Sequence, residues 1–260
     1  VSHLKNVSIN LKRKTKLKHK EIVLDIASND ATLLKFYPND VITFGIDPLI
    51  DKYQKEYKKI NYKISDFFSI SKIKKKTNKK FKIITALSVF YDLERPNKFL
   101  KEVENLLDKK GIFALEFADL SSIIDKNMFD TICHEHLEYY SSKIIIDMCK
   151  KNNLKVIDIL QNNINGSSKQ FHIVKKNSYF KVNSKKIKKI LYYEKNKKIN
   201  SSKTLIQFFK KIDKIKISLI KLLKSIKSKN KTIHAYGAST KGNVLLQYFG
   251  IDKRYIDFLA

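Results

Sequence analysis

The feature that most constrains this chain is an alternation, from Glu21 onward, of short apolar runs with helical patterns, the runs ending repeatedly in an acid. EIVLDI is followed by a helical pattern from about Asn29 through Phe36, and VITFGI by another over Pro48 to Tyr57. INYKI and FKIITALSVF come next, then a helix over Asn97 to Leu107 just after Pro96, and GIFALEF after a turn at Gly111. Continuous apolar runs with helices between them mark a parallel, doubly wound sheet, because the crossover helices bury both of its faces. A helix around Ser142 to Lys151 precedes LKVIDIL and QFHIVKK, which the polar stretch NNINGSS joins without a helix. That pair predicts an antiparallel hairpin closing one sheet edge, so the expected fold class is α/β.

The flanks read differently. Residues 1–20 are polar and basic without sustained periodicity, and are expected to be a linker ahead of a sheet domain over 21–176. Residues 177–230 are lysine-rich and helical, with Leu205, Phe209, Ile212, Ile215, Leu219, Leu222 and Ile226 spaced to turn one stripe toward a core. Residues 231–260 open a second α/β unit and stop in IDFLA, partway into its second strand. One βα unit cannot close a sheet, so this unit is expected to be truncated.

Composition narrows the function classes. The formal charge of +29 is carried almost wholly by lysine, with Arg13, Arg95 and Arg254 the only arginines. Base and phosphate readout favours the bidentate arginine fork, so a nucleic-acid partner is not expected. Cys133 and Cys149 form no C-x-x-C pair, which argues against a disulfide framework and against zinc in these residues. No apolar stretch reaches the roughly 18 to 20 residues of a membrane span, and the N-terminus lacks a signal-peptide core. A cytoplasmic protein is expected, of a size at which the sequence sets no oligomeric state.

The strand ends carry the chemistry. In LDIASNDATLL, Asp25 ends the first strand, Ala27 sits in the loop, and Asn29 or Asp30 is placed to cap a helix. In FGIDPL, Asp47 is placed to accept two vicinal ribose hydroxyls. In ISDFFS, Asp66 suits an adenine amine and Phe67 or Phe68 a pocket wall, and ALSVFYDL places Ser88 beneath a methyl donor. With no G-x-G-x-x-G after the first strand, this set points to S-adenosylmethionine (SAM) rather than a dinucleotide.

The strings VLDIASNDATLL, FGIDP, SDFFS, FYDLERPNKFLKEV, FDTICHEHLEYYS, NNINGSS and AYGASTKGNVLLQY occur in this order from about Glu21 to the end, and the chain resembles the sugar C-methyltransferase family. The resemblance implies a Rossmann-like, seven-stranded class I methyltransferase domain, SAM as cofactor, and methylation of a ring carbon in nucleotide-linked keto-deoxysugars. It makes His136 the base that forms an enolate, with Glu135 orienting it and His134 holding the loop or sugar; histidine titrates in the range this chemistry needs. It also implies substrate contacts from Asn165 in the NNINGSS turn and from Tyr236, Gly237, Ala238, Ser239, Lys241 and Asn243, where a helix N-terminus makes an anion cradle for the nucleotide diphosphate.

This chain departs from the family where Ala27 and Ala31 replace loop glycines, Cys133 replaces a tyrosine, Ser167 replaces a glycine and Gln170 an arginine. Tyr139 or Tyr140 is the candidate to supply the missing hydroxyl. The family's N-terminal zinc module is not in these residues. Two other readings share the same site: methyl transfer to another small molecule or to RNA, and a catalytically silent sugar-nucleotide-binding relative.

Overall fold

β-Branched and aromatic residues set seven strands, β1 (Ile22–Ile26), β2 (Ile42–Ile46), β3 (Tyr62–Ile64), β4 (Phe81–Leu87), β5 (Leu107–Phe117), β6 (Leu154–Asn162) and β7 (Ser168–Lys175). The computed structural model describes residues 1–237 and 239–260. The strands form one sheet in the order β3-β2-β1-β4-β5-β7-β6, the first five parallel and β7 antiparallel to both β5 and β6. The order reverses between β1 and β4, and at such a switch point the strand ends leave a crevice.

Among the described residues eight helices accompany the strands: α1 (Ser2–Thr15), α2 (Ile70–Lys74), α3 (Pro96–Leu106), α4 (Leu120–Asp125), α5 (Ser142–Lys151), α6 (Ser184–Asn196), α7 (Ser202–Lys227) and α8 (Thr240–Phe249). Alternation along each strand sorts the core into two layers. Leu24, Ile84, Phe113, Leu115 and Phe117 pack with Phe99 and Val103 of α3 and Ile145 of α5. Val23, Ile83, Ile112 and Ala114 face the other way, against Val7 and Leu11 of α1. Asp25, Thr85 and Glu116 keep step with that second set, so strand alternation brings three polar side chains to the α1 side of the sheet.

Residues 2–15 are thus a packed helix and not a linker. The buried face rests on few apolar residues, Val7 and Leu11 with Leu4 beside them, and the lysines around them mask the period. The patterns after β1 and β2 give only short 3₁₀ turns, Leu34–Phe36 and Ile50–Tyr53. Asp30 bonds the amide and hydroxyl of Thr32, and Asn29 and Ala31 take left-handed φ, so a local loop outcompetes the helix and neither Asn29 nor Asp30 caps one. Gly111 lies inside β5, where a Cβ would sit 2.8 Å from the Phe81 carbonyl.

Beyond the sheet, α7 buries Phe208, Ile212 and Leu223 against Ile123, Phe129 and Phe249. The expected stripe is therefore rotated: Leu205, Phe209, Ile215 and Leu222 are exposed. Two short parallel strands, β8 (His234–Ala235) and β9 (Phe258–Leu259), flank α8. Phe249 of α8 stacks on Phe129 at 4.9 Å, fixing this unit beside the segment that follows α4. Buried Lys169 ties the same region to the sheet, its Nζ 2.9 Å from Asp119 and 3.0 Å from Glu194 of α6. Among the described residues no helix is long and apolar enough to cross a membrane.

Candidate active site

The switch point opens a cleft of about 370 Å³, lined by Asp25, Ala27, Asn29, Asp30, Ser88 and Asn165 among others. All six were expected from the sequence. The lining also includes residues that were not, among them His3 and Leu4 of α1, and Glu116 at the end of β5. Glu116 had a legible signal, a lone acid in the apolar run GIFALEF at the strand position facing the same side as Asp25.

Asp25 is buried, and the Thr85 hydroxyl donates to it at 2.5 Å. Burial pushes its carboxyl up to about 7; the Thr85 bond opposes this, and the charges of Asp47 and Asp30 add to it. Such a group favours any ligand that brings positive charge into the cleft. Asp47 stands behind the loop, its carboxylate accepting from the amides of Asn29 at 3.0 Å and Leu49 at 2.7 Å. It shapes the loop directly, and each oxygen retains a second lone pair for a ligand hydroxyl.

Ala27, Ala31 and Ser88 take φ of 56°, 58° and 58°. An L residue in this left-handed region costs about 1–2 kcal/mol. Ala27→Gly is therefore expected to raise stability by about 0.5 kcal/mol, the relief being partly offset by the freer unfolded chain. Ala31→Gly is expected to gain nothing, since the Ala31 methyl is buried in the α1-side core. Thermal midpoints of the two variants check the contrast.

The third strand end falls elsewhere. Asp66 is partly exposed and paired with Lys72, which holds its carboxyl below the ordinary value. Phe67 is 74% exposed, and Phe68 turns inward onto Phe99 at 5.1 Å. Phe67 and Phe68, the two candidates for a pocket wall, border a cavity of about 450 Å³ with Asp92 and Arg95, separate from the cleft that Asp25 lines.

His136 sits at the base of the HEH loop. Its Nδ1 lies 2.7 Å from the Thr131 carbonyl, which only accepts, so Nδ1 carries the proton and Nε2 presents its lone pair. The ring packs on Tyr91 at 4.2 Å between centroids, and the Tyr91 carbonyl accepts from the amides of Leu137 and Glu138. Ser88 and Tyr91 belong to the same loop after β4, one lining the cleft and the other carrying the HEH segment. His134 and Glu135 are exposed on the loop's turn. Asp92, which sequence reasoning missed, is exposed on the loop after β4; partial desolvation raises its carboxyl to about 6, with His136 pulling it down and Glu135 pushing it up. Tyr140 is buried among Phe90 and Phe117, so it is withdrawn from the substrate side. Tyr139, half-buried beside Cys133, is the hydroxyl that remains.

The C-terminal candidates meet the cleft at one point. Lys241 Nζ donates to the Asn165 carbonyl at 3.0 Å, and the Asn165 amide donates to the Ser88 hydroxyl at 3.2 Å. Ser239 caps α8 by accepting from Gly242, Gly237 takes φ +138°, and Tyr236 is 96% exposed. Asn243 is exposed on α8, and Ala238 lies outside the described residues.

A doubly wound sheet with an antiparallel β7 beside β5 and an acidic cleft at its switch point defines a class I methyltransferase fold. Residues 6–159 match the methyltransferase domain family, and residues 163–260 match the C-methyltransferase C-terminal domain. The chain belongs to the methyltransferase family, and residues 163–260 are similar to the C-terminal domain of C-methyltransferases. It is 25% identical over 179 residues to the C-methyltransferase NovU of Streptomyces niveus, a match covering 69% of this chain and 42% of that protein. Its fold is similar to a SAM-dependent methyltransferase from Clostridium acetobutylicum ATCC 824, with TM-score 0.53, 14% identity, and coverage of 66% of this chain and 90% of that one. Magnesium protoporphyrin IX methyltransferase from Synechocystis PCC 6803, solved with bound S-adenosylhomocysteine (SAH), gives TM-score 0.50 and 13% identity over 67% of this chain and 82% of its own. At these identities the two structures speak to fold alone.

Proposed function

We propose that this chain is a cytoplasmic SAM-dependent C-methyltransferase that acts on a ring carbon of a nucleotide-activated keto-deoxysugar, with His136 as the base. The observation that carries the reading is one loop, residues 88–91, holding Ser88 in the acidic cleft and Tyr91 against the His136 ring. That shared loop supports reading His136 as a base that works beside the cleft.

The residues present suit SAM. Asp25 and Asp30 offer negative charge to its ammonium and sulfonium, Asp47 offers acceptors to its ribose, and Ser88 lies under the reacting end. Bound SAM supplies an electrophilic methyl group. The protein's part is to make the carbon nucleophilic: Nε2 of His136 takes the proton from the carbon beside the ketone, and that electron pair stays on the substrate as an enolate. The Thr131 carbonyl keeps the ring in the reactive tautomer, and ionised Asp92 stabilises the imidazolium that results. Tyr139 is the donor nearest to hand for the keto oxygen. Lys241 and the capped start of α8 serve the nucleotide diphosphate.

Calorimetric titration with SAH tests the reading: micromolar binding is expected, and absence of both heat and thermal shift contradicts it. Asp25 adds a pH signature. A carboxyl raised to about 7 is protonated in the unliganded protein below that pH, whereas the ammonium that SAH carries favours it ionised. SAH affinity is therefore expected to climb by up to about tenfold per unit as pH rises toward 7 and to level off above it. The same shift makes the unliganded protein lose stability as pH rises from the ordinary carboxylate value to about 7, because the folded state binds the extra proton. Asp25→Asn is expected to flatten both trends.

A further inference from the structure

From the cleft we infer that His3, on α1, is the group that receives the carboxylate of the cofactor's methionine end, with Glu116 as the residue that positions its ring. The inference deepens the proposed function and rests on it.

A methyl donor of this kind brings an α-carboxylate as well as two positive charges. The cleft opposes that carboxylate with Asp25, Asp30 and Glu116, so it needs a donor. The loop after β1 has little to give. The amides of Ala27 and Ser28 both donate to the Ile46 carbonyl, that of Asn29 to Asp47, that of Ala31 to Ser28 and that of Thr32 to Asp30. The Ser88 amide is likewise engaged, by the Glu116 carbonyl at 2.7 Å.

Among the described residues lining the cleft, His3 is the one basic side chain. Its Nε2 lies 2.7 Å from Glu116 Oε1, while Nδ1 has no hydrogen-bond partner among the described residues. Glu116 is 1% exposed and held on its other oxygen by Gln170 at 2.7 Å and Asn162 at 3.0 Å. Gln170 in turn accepts from His172, whose Nδ1 faces Lys14 of α1 at 2.9 Å. This chain of bonds fixes the carboxylate in the sheet, and with it the imidazole. With Nε2–H given to Glu116, the imidazolium form of the ring, favoured when a carboxylate arrives, directs Nδ1–H to that carboxylate in a charge-assisted contact.

Calorimetry with two ligands separates this role from mere covering of the cleft. One is SAH; the other is S-adenosyl-3-thiopropylamine, which keeps the ammonium and lacks the carboxylate. His3→Ala is expected to weaken SAH by about 10- to 100-fold and to leave the amine analogue within about twofold. Glu116→Gln, which keeps an acceptor for Nε2 but removes the charge, is expected to cost SAH severalfold with the same selectivity. Equal weakening of both ligands, or unchanged SAH affinity in His3→Ala, overturns the assignment while leaving the proposed function standing. A parent protein that binds neither ligand overturns both.

Discussion

Replacing His136 by asparagine is expected to lower methyl transfer by about 10²-fold or more while SAH affinity stays within about twofold. The separation follows from where the ring sits. Its contacts are the Thr131 carbonyl, the Tyr91 ring and the charge of Asp92, and it is not among the residues lining the cleft around Asp25. Asparagine preserves a donor toward Thr131 but has no basic nitrogen at the position of Nε2. Single-turnover kinetics at saturating cofactor, set beside calorimetry, reads the two quantities apart. Matching losses in rate and affinity would assign His136 to holding the loop and not to proton transfer.

Asp47→Ala should act in the opposite sense, lowering SAH affinity by about 100-fold and stability by about 1–3 kcal/mol, since the amides of Asn29 and Leu49 both lose a charged acceptor. Asp47→Asn separates the two effects. An amide retains one acceptor, so stability is expected to recover in part, while the charge that a ribose diol favours is gone. Recovery of stability with affinity still depressed supports a ligand contact; full recovery of both makes Asp47 a loop brace only.

Most of the sheet was legible because its strands are buried on both faces and their apolar runs admit no other reading. The β6–β7 hairpin was legible from the polar turn between two runs without a helix. The loops after β1 and β2 were not, because their helical spacing is overridden by side-chain bonds from Asp30 and Asp47 and by left-handed residues that a sequence pattern does not encode. Helix α1 was hidden for a different reason: a 14-residue helix that buries Val7 and Leu11 amid lysines has too few apolar positions to show a period. That single omission also concealed His3 and the reason for Glu116. In the site, residues whose backbone fixes their place, such as Asp25 and Ser88, line the cleft at the switch point. Phe67 and Tyr140 do not, since which of two adjacent aromatics turns inward depends on tertiary packing, here onto Phe99 and onto Phe90.

The central claim is methyl transfer to carbon, and the measurement closest to it is nuclear magnetic resonance of the product formed from SAM carrying a ¹³C-labelled methyl group and a panel of nucleotide-linked keto-deoxysugars. The account predicts the label in a methyl group bonded to the ring carbon beside the ketone, lost when His136 is replaced by asparagine. Label on oxygen or nitrogen, or transfer that survives that replacement, would contradict it.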